Sequence, residues 1–196
     1  ATAINDYLDG TIKIHEHTIT SREEMFKDYL KESKFNADPV LLSYSDSNTI
    51  NSITKKYSDK RAEYEFTTTN KVCHKLWIID NKEDIKNIID EFATIENIYI
   101  ADGHHRTASS SLLCKNLREE NPNHNPKDNF NYFMSYLIPE SQLRILNFNR
   151  LIKTTNGLSE NEFIEKIEKF YSVTNKGTEI HPPIKKDEIS MYLGED

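Results

Sequence analysis

Apolar residues recur along this chain in two alternating rhythms. Met25, Phe26, Tyr29 and Leu30 share one face at helical spacing, and the preceding Thr20 and Glu23 have the spacing of a capping box. Asn81 stands before a segment in which Ile85, Ile88, Ile89 and Phe92 repeat with the same period. Ser159 and Glu162 form another capping-box pair, followed by Phe163, Ile164, Ile167 and Phe170. A less regular helix is predicted from Ser47 to Tyr57. Between these stretches lie short β-prone runs: Val40 to Tyr44, Ile98 to Ala101 and Glu188 to Leu193. Two hairpins are predicted as well. One joins Glu63–Thr67 to Val72–Ile79, and the other joins Tyr132–Ile138 to Leu143–Phe148 around Pro139-Glu140. Glu120 to Asn129, with Pro122 and Pro126, reads as a polar loop. Helices and strands mix without regular βαβ alternation, so the expected class is α+β or mixed α/β rather than a doubly wound sheet.

The densest chemistry follows the run Ile98–Ala101. Asp102 sits where a helix N-cap belongs, and Gly103 allows a tight turn and close approach of a ligand to the backbone. From His104 a helix is predicted through Ala108, Leu112, Leu113 and Leu117. Unpaired N–H groups and the positive end of the dipole make such a start an anion site. Arg106 adds a fork suited to phosphate oxygens, and His104 and His105 add proton-transfer capacity near neutral pH. An ordinary Asp-Gly turn with surface histidines is the competing reading.

A second polar cluster, His15-Glu16-His17, lies near the start of the chain. In an extended segment the two histidines face one side and Glu16 the other. Two imidazoles can hold a phosphate or part of a metal site, although zinc usually needs three protein ligands. Glu16 has the chemistry of a general base. The alternative is an exposed polar loop entering the Thr20 helix.

The composition narrows the choice of partners. The chain has 196 residues, a net charge of -7 and 36% hydrophobic residues. That length fits one α/β domain over 1–196, and the hydrophobic content is too high for wholesale disorder. With no basic surplus or stripe, nucleic acid is not the expected partner. No apolar run approaches the length of a membrane span, so no membrane partner is expected, and a cytoplasmic location is. Cys73 and Cys114 share no motif and read as reduced thiols. The pattern begins and stops abruptly, as in a segment of a longer protein. His74, His124 and His181 lack partners in the pattern, Trp77 reads as core, and Arg22-Glu23-Glu24 reads as a solvated helix face.

Four segments resemble one family in the same order along nearly the whole chain. They are Tyr7-Leu8-Asp9-Gly10-Thr11-Ile12-Lys13, His15-Glu16-His17-Thr18, Tyr99 to Ala108 around Asp102-Gly103-His104-His105-Arg106, and Ile145-Leu146-Asn147-Phe148-Asn149-Arg150. The family, long catalogued as a domain of unknown function, is regarded as containing pyrophosphate-dependent serine kinases. It is similar to the ParB/sulfiredoxin superfamily, in which a Gly-x-His-Arg turn at a helix start holds nucleotide phosphates. The resemblance implies a ParB/sulfiredoxin-like core with a mixed sheet and flanking helices. It also implies transfer of phosphate from pyrophosphate or a nucleotide to free L-serine, as part of serine biosynthesis, with Mg2+ or another divalent cation. His104 stands where sulfiredoxins have cysteine and ParB proteins have glutamate, which argues against sulfinic acid reduction and CTP hydrolysis. In this reading Gly103, His105, Arg106, His15, His17 and Arg150 bind phosphate. Glu16 or Asp102 accepts the serine proton, and His104 or His105 assists the leaving phosphate. Asn149 and Arg150 serve either the donor site or the fold. Two other functions remain open: a non-catalytic phosphate- or nucleotide-binding regulatory module, and a metal-dependent hydrolase using the four motif histidines.

Overall fold

The computed structural model describes residues 1–146 and 148–193. The chain divides into two compact units, Ala1–Ile145 and Leu146–Asp196. The class is α+β, with six α-helices and several small sheets among the described residues.

In the first unit, strands β1 (Thr2–Ala3), β2 (Ile12–Lys13) and β3 (Val40–Tyr44) enclose helices α1 (Ile4–Leu8) and α2 (Thr20–Ser33) along the chain. Then come α3 (Asn48–Ser58), β4 (Tyr64–Thr67), β5 (Cys73–Leu76), α4 (Lys82–Phe92), β6 (Ile98–Asp102) and α5 (His104–Glu120). Strands β7 (Tyr132–Phe133) and β8 (Ser135–Pro139) complete the unit. The main sheet has the order β2-β6-β3-β8. Strands β2 and β6 are parallel, β6 and β3 antiparallel, and β3 and β8 parallel. Val40, Leu42 and Tyr44 of the central strand β3 are all buried, as a strand covered on a face requires. The core joins Ile4, Ile12, Val40, Leu42, Ile100, Cys114 and Phe133.

Helix α5 buries a run of small residues, the predicted Ala108 among them, more fully than the predicted leucines. Thr107, Ala108, Ser109, Ser110 and Ser111 are buried, whereas Leu112, Leu113 and Leu117 are half-buried. Thr107, Ser109 and Ser110 return their hydroxyls to the carbonyls of Gly103, His105 and Arg106, one turn back. Burying them therefore orphans no donor, and the small side chains let neighbouring elements approach. Helix α2 lies beside α5. The Ile19 N–H donates to His105 Nε2 at 3.2 Å at their beginnings, and Lys31 meets Glu120 at 3.2 Å at their ends. The two helices thus run in the same direction, and their positive ends sit together.

Several expected elements take other forms. Ile19, not Thr20, is the N-cap of α2, and Glu23 accepts from the Thr18 hydroxyl instead of closing a box. Gly103, not Asp102, is the N-cap of α5, because the sheet pairs Asp102 with Leu41 and keeps it in β6. The hairpin expected after Pro139 does not form. Glu140–Gln142 turn as a 3-10 helix, and residues 143–146 and 148 form no strand; Asn147 lies outside the described residues. The β4–β5 hairpin does form but is exposed throughout.

The second unit contains α6 (Glu160–Ile167), started by the expected box. The Ser159 N–H donates to Glu162 at 2.9 Å, and the Glu162 N–H donates to the Ser159 hydroxyl. The expected strand Glu188–Leu193 is irregular chain.

Candidate functional site

Parallel pairing of β2 with β6 decides what meets what. The register matches Ile12 with Ile98 and Lys13 with Tyr99, so both strands leave the sheet at the same end. Continuing the register carries His15 toward Ala101, beside the turn that opens α5. Strand β3 runs the opposite way, so its beginning, with Asp38 and Pro39 just before it, reaches that same end. Ends of this kind, beyond the carboxyl ends of parallel strands, are where α/β sheets commonly bind ligands.

The two histidines at the start of α5 act as acceptors for the 15–19 segment. His104 is 5% exposed. Its Nε2 accepts the His15 backbone N–H at 3.4 Å, and its Nδ1 lies 3.4 Å from Glu16 Oε2. A ring nitrogen that accepts cannot carry the proton, so in the neutral ring Nδ1 carries it and faces the Glu16 carboxylate. Burial, then the neighbouring His15, pushes His104 below its ordinary value, against the opposing pull of Glu16 and Asp102. The ring is therefore neutral at pH 7. His15 packs edge-on against His104, with ring centroids 4.4 Å apart. His105 accepts from Ile19 in the same manner. Together the two imidazoles fasten the segment carrying Glu16 onto the first turn of α5.

Gly103 has φ +102°, a conformation L side chains rarely adopt. A Cβ there would lie 3.1 Å from Arg106 Nε and 3.2 Å from its Cζ, so the guanidinium folds back beneath the turn. Arg106 donates to Asp38 Oδ2 at 2.6 Å, to Asp102 Oδ2 at 2.5 Å and to the Pro39 carbonyl. Its fork is thus held by the protein's own oxygens. This differs from the sequence expectation of a guanidinium presented to a ligand, because β3 delivers Asp38 to the same end of the sheet.

A cleft of about 520 Å³ opens over this turn. Glu16, Asp38, Asp102, Gly103, His104, His105 and Arg106 line it, together with Arg22, Phe26 and Tyr29 from α2. His15, Glu16 and His104 also bring one ligand atom each within 4.8 Å of one another. One carboxylate with two imidazoles suits a nitrogen-preferring transition metal better than Mg2+, which takes mostly oxygen ligands and the phosphates of its substrate.

The structure thus joins His15, Glu16, Asp102, Gly103, His104, His105 and Arg106 in one place. His17 is exposed and does not line the cleft. Asn149 and Arg150 belong to the second unit, where Arg150 lies 5.7 Å from the Phe148 ring centroid. Asp38 is absent from the candidates the sequence offers, and Arg22 figures there only as part of a solvated helix face. Nothing local marks Asp38. Arg22 carries a faint signal, since a cation in the first turn of a helix opposes the dipole and needs another reason to be there.

One family model, described as "Protein of unknown function (DUF1015)", matches residues 1–196. The chain belongs to the DUF1015 family. No curated protein and no solved structure is a significant match to it. In this DUF1015 chain no helix among the described residues is long and apolar enough to cross a membrane.

Proposed function

We propose that this DUF1015 chain is a small-molecule kinase that transfers a phosphoryl group from pyrophosphate, or from a nucleotide, to the hydroxyl of free L-serine. The observation that carries the reading is the meeting of Glu16 with the uncapped start of α5 in one cleft. Phosphoryl transfer asks a protein mainly for positioning and charge neutralisation. The amides at the start of α5 supply fixed positive ends for the donor phosphates. Glu16 accepts the serine hydroxyl proton. The serine oxygen then bonds to phosphorus as the bond to the leaving phosphate breaks. The His104 Nδ1–H holds the carboxylate in place and, being neutral, leaves it basic. Mg2+ or another divalent cation, held mainly by the donor's own oxygens, would supply charge neutralisation when bound. A relation to the ParB/sulfiredoxin fold, a place in serine biosynthesis and a cytoplasmic location belong to the same proposal. The strand–Gly–helix turn at Asp102–His104 supports the fold relation.

The test is phosphorus NMR of the chain with pyrophosphate, L-serine and Mg2+. O-phosphoserine forms with the natural sequence, and Glu16→Gln slows its formation at least 100-fold, the usual scale for a lost general base. Saturable pyrophosphate binding without turnover would instead make the chain a regulatory phosphate-binding module. Tightly held zinc with release of free phosphate would make it a hydrolase.

A further inference from the structure

Charge pairing around the cleft leaves one guanidinium over. Arg106 is taken up by Asp38, Asp102 and the Pro39 carbonyl. Glu16 faces His104 Nδ1. Glu23, one residue after Arg22, accepts from the Thr18 hydroxyl. Each carboxylate that lines the cleft or adjoins Arg22 in the first turn of α2 therefore already has a partner. Arg22 lines the same cleft and forms no ion pair among the described residues.

Arg22 is also fixed relative to the α5 turn. Its N–H donates to the Ile19 carbonyl at 2.9 Å, and the Ile19 N–H is bonded to His105. One helical turn thus ties the backbone of Arg22 to the ring that follows His104. The residue adds nothing to α2 itself, because a cation near a helix start costs stability by opposing the dipole.

We infer that Arg22, rather than Arg106, is the guanidinium that binds the donor's phosphate oxygens. Arg106 is then a positioning residue, which holds the Gly103 turn in shape by bridging β6 and the segment that leads into β3. This assignment deepens the kinase reading and rests on it. An exposed, unpaired fork can meet a phosphate without first giving up a protein carboxylate, whereas Arg106 would have to exchange one anion for another. The cleft's formal balance makes that difference matter. Three carboxylates and two guanidiniums line it, a net formal charge of -1, so an entering anion needs both the α5 amides and a cation not already held by a carboxylate.

The experiment is calorimetric titration of inorganic pyrophosphate, with Mg2+, into four proteins: the natural sequence, Arg22→Ala, Arg22→Lys and Arg106→Ala. Thermal unfolding of each is followed in parallel. Arg22→Ala weakens pyrophosphate binding about tenfold or more, the usual consequence of losing a charge-assisted pair of hydrogen bonds, and does not lower the melting temperature. Arg22→Lys recovers part of the affinity, since a point charge replaces the fork. Arg106→Ala lowers the melting temperature. Full affinity in Arg22→Ala, with the natural sequence binding, overturns this assignment and leaves the kinase reading standing. Absence of binding by the natural sequence overturns both.

Discussion

Replacing Gly103 by alanine probes the turn on which the site depends. The backbone there has φ +102°, and a new Cβ would meet Arg106 Nε at 3.1 Å. Holding a non-glycine residue in so sparsely populated a conformation costs about 1–3 kcal/mol. The contact adds to this, because Arg106 is anchored by Asp38, Asp102 and the Pro39 carbonyl and can retreat only by breaking those bonds. A total of roughly 2–4 kcal/mol is expected, with about 1 kcal/mol of it from the clash. Urea unfolding measures it. With a slope of about 2 kcal/mol per molar urea, the midpoint falls by about 1 M or more. Repeating the substitution in an Arg106→Ala background separates the two causes, since the clash disappears and the backbone strain remains. An unchanged midpoint in Gly103→Ala, or an identical cost in both backgrounds, would refute the placement of Arg106 under the turn.

Three further outcomes follow from the same geometry. Arg106→Ala loses about 1 kcal/mol, discounted because Asp38 and Asp102 are largely exposed, and its urea midpoint falls accordingly. Asn81→Ala costs about 1 kcal/mol, because its side chain caps α4 by accepting from the Glu83 and Asp84 N–H groups at 3.0 Å each; urea unfolding detects the loss. His104 is held below its ordinary value, so the unfolded chain binds the proton more readily. Its contribution is complete above the ordinary histidine range and is lost as pH falls through that range and below. Unfolding midpoints measured from pH 8 down to pH 5 decline more steeply in the natural chain than in His104→Gln.

Local chemistry made much of this fold legible. Asn81 and the Ser159–Glu162 pair carry their caps in the residues themselves, and β3 announces itself as a short apolar run. What stayed hidden depends on distant partners. The order β2-β6-β3-β8 cannot be read from any window, yet it brings His15 and Glu16 to His104 and brings Asp38 to Arg106. The two-residue strands β1 and β2 are too short to show a period. Thr20 looks like a cap because Glu23 follows at the right spacing, but the Ile19 N–H bonds to His105 and Thr18 takes Glu23. The α5 turn was recognisable as an anion-type turn from Gly103 and its neighbours. Which guanidinium there stays unpaired depended on Asp38, which lies 68 positions from Arg106.

In the proposed kinase the His15–Glu16 segment and the start of α5 form one phosphate-binding site. Histidine and amide NMR signals followed during a pyrophosphate titration test it most directly. The rings of His15, His104 and His105 and the amides of Gly103 to Arg106 shift together with one dissociation constant, while His17 stays still. Shifts confined to one of the two segments, or none in either, would contradict it.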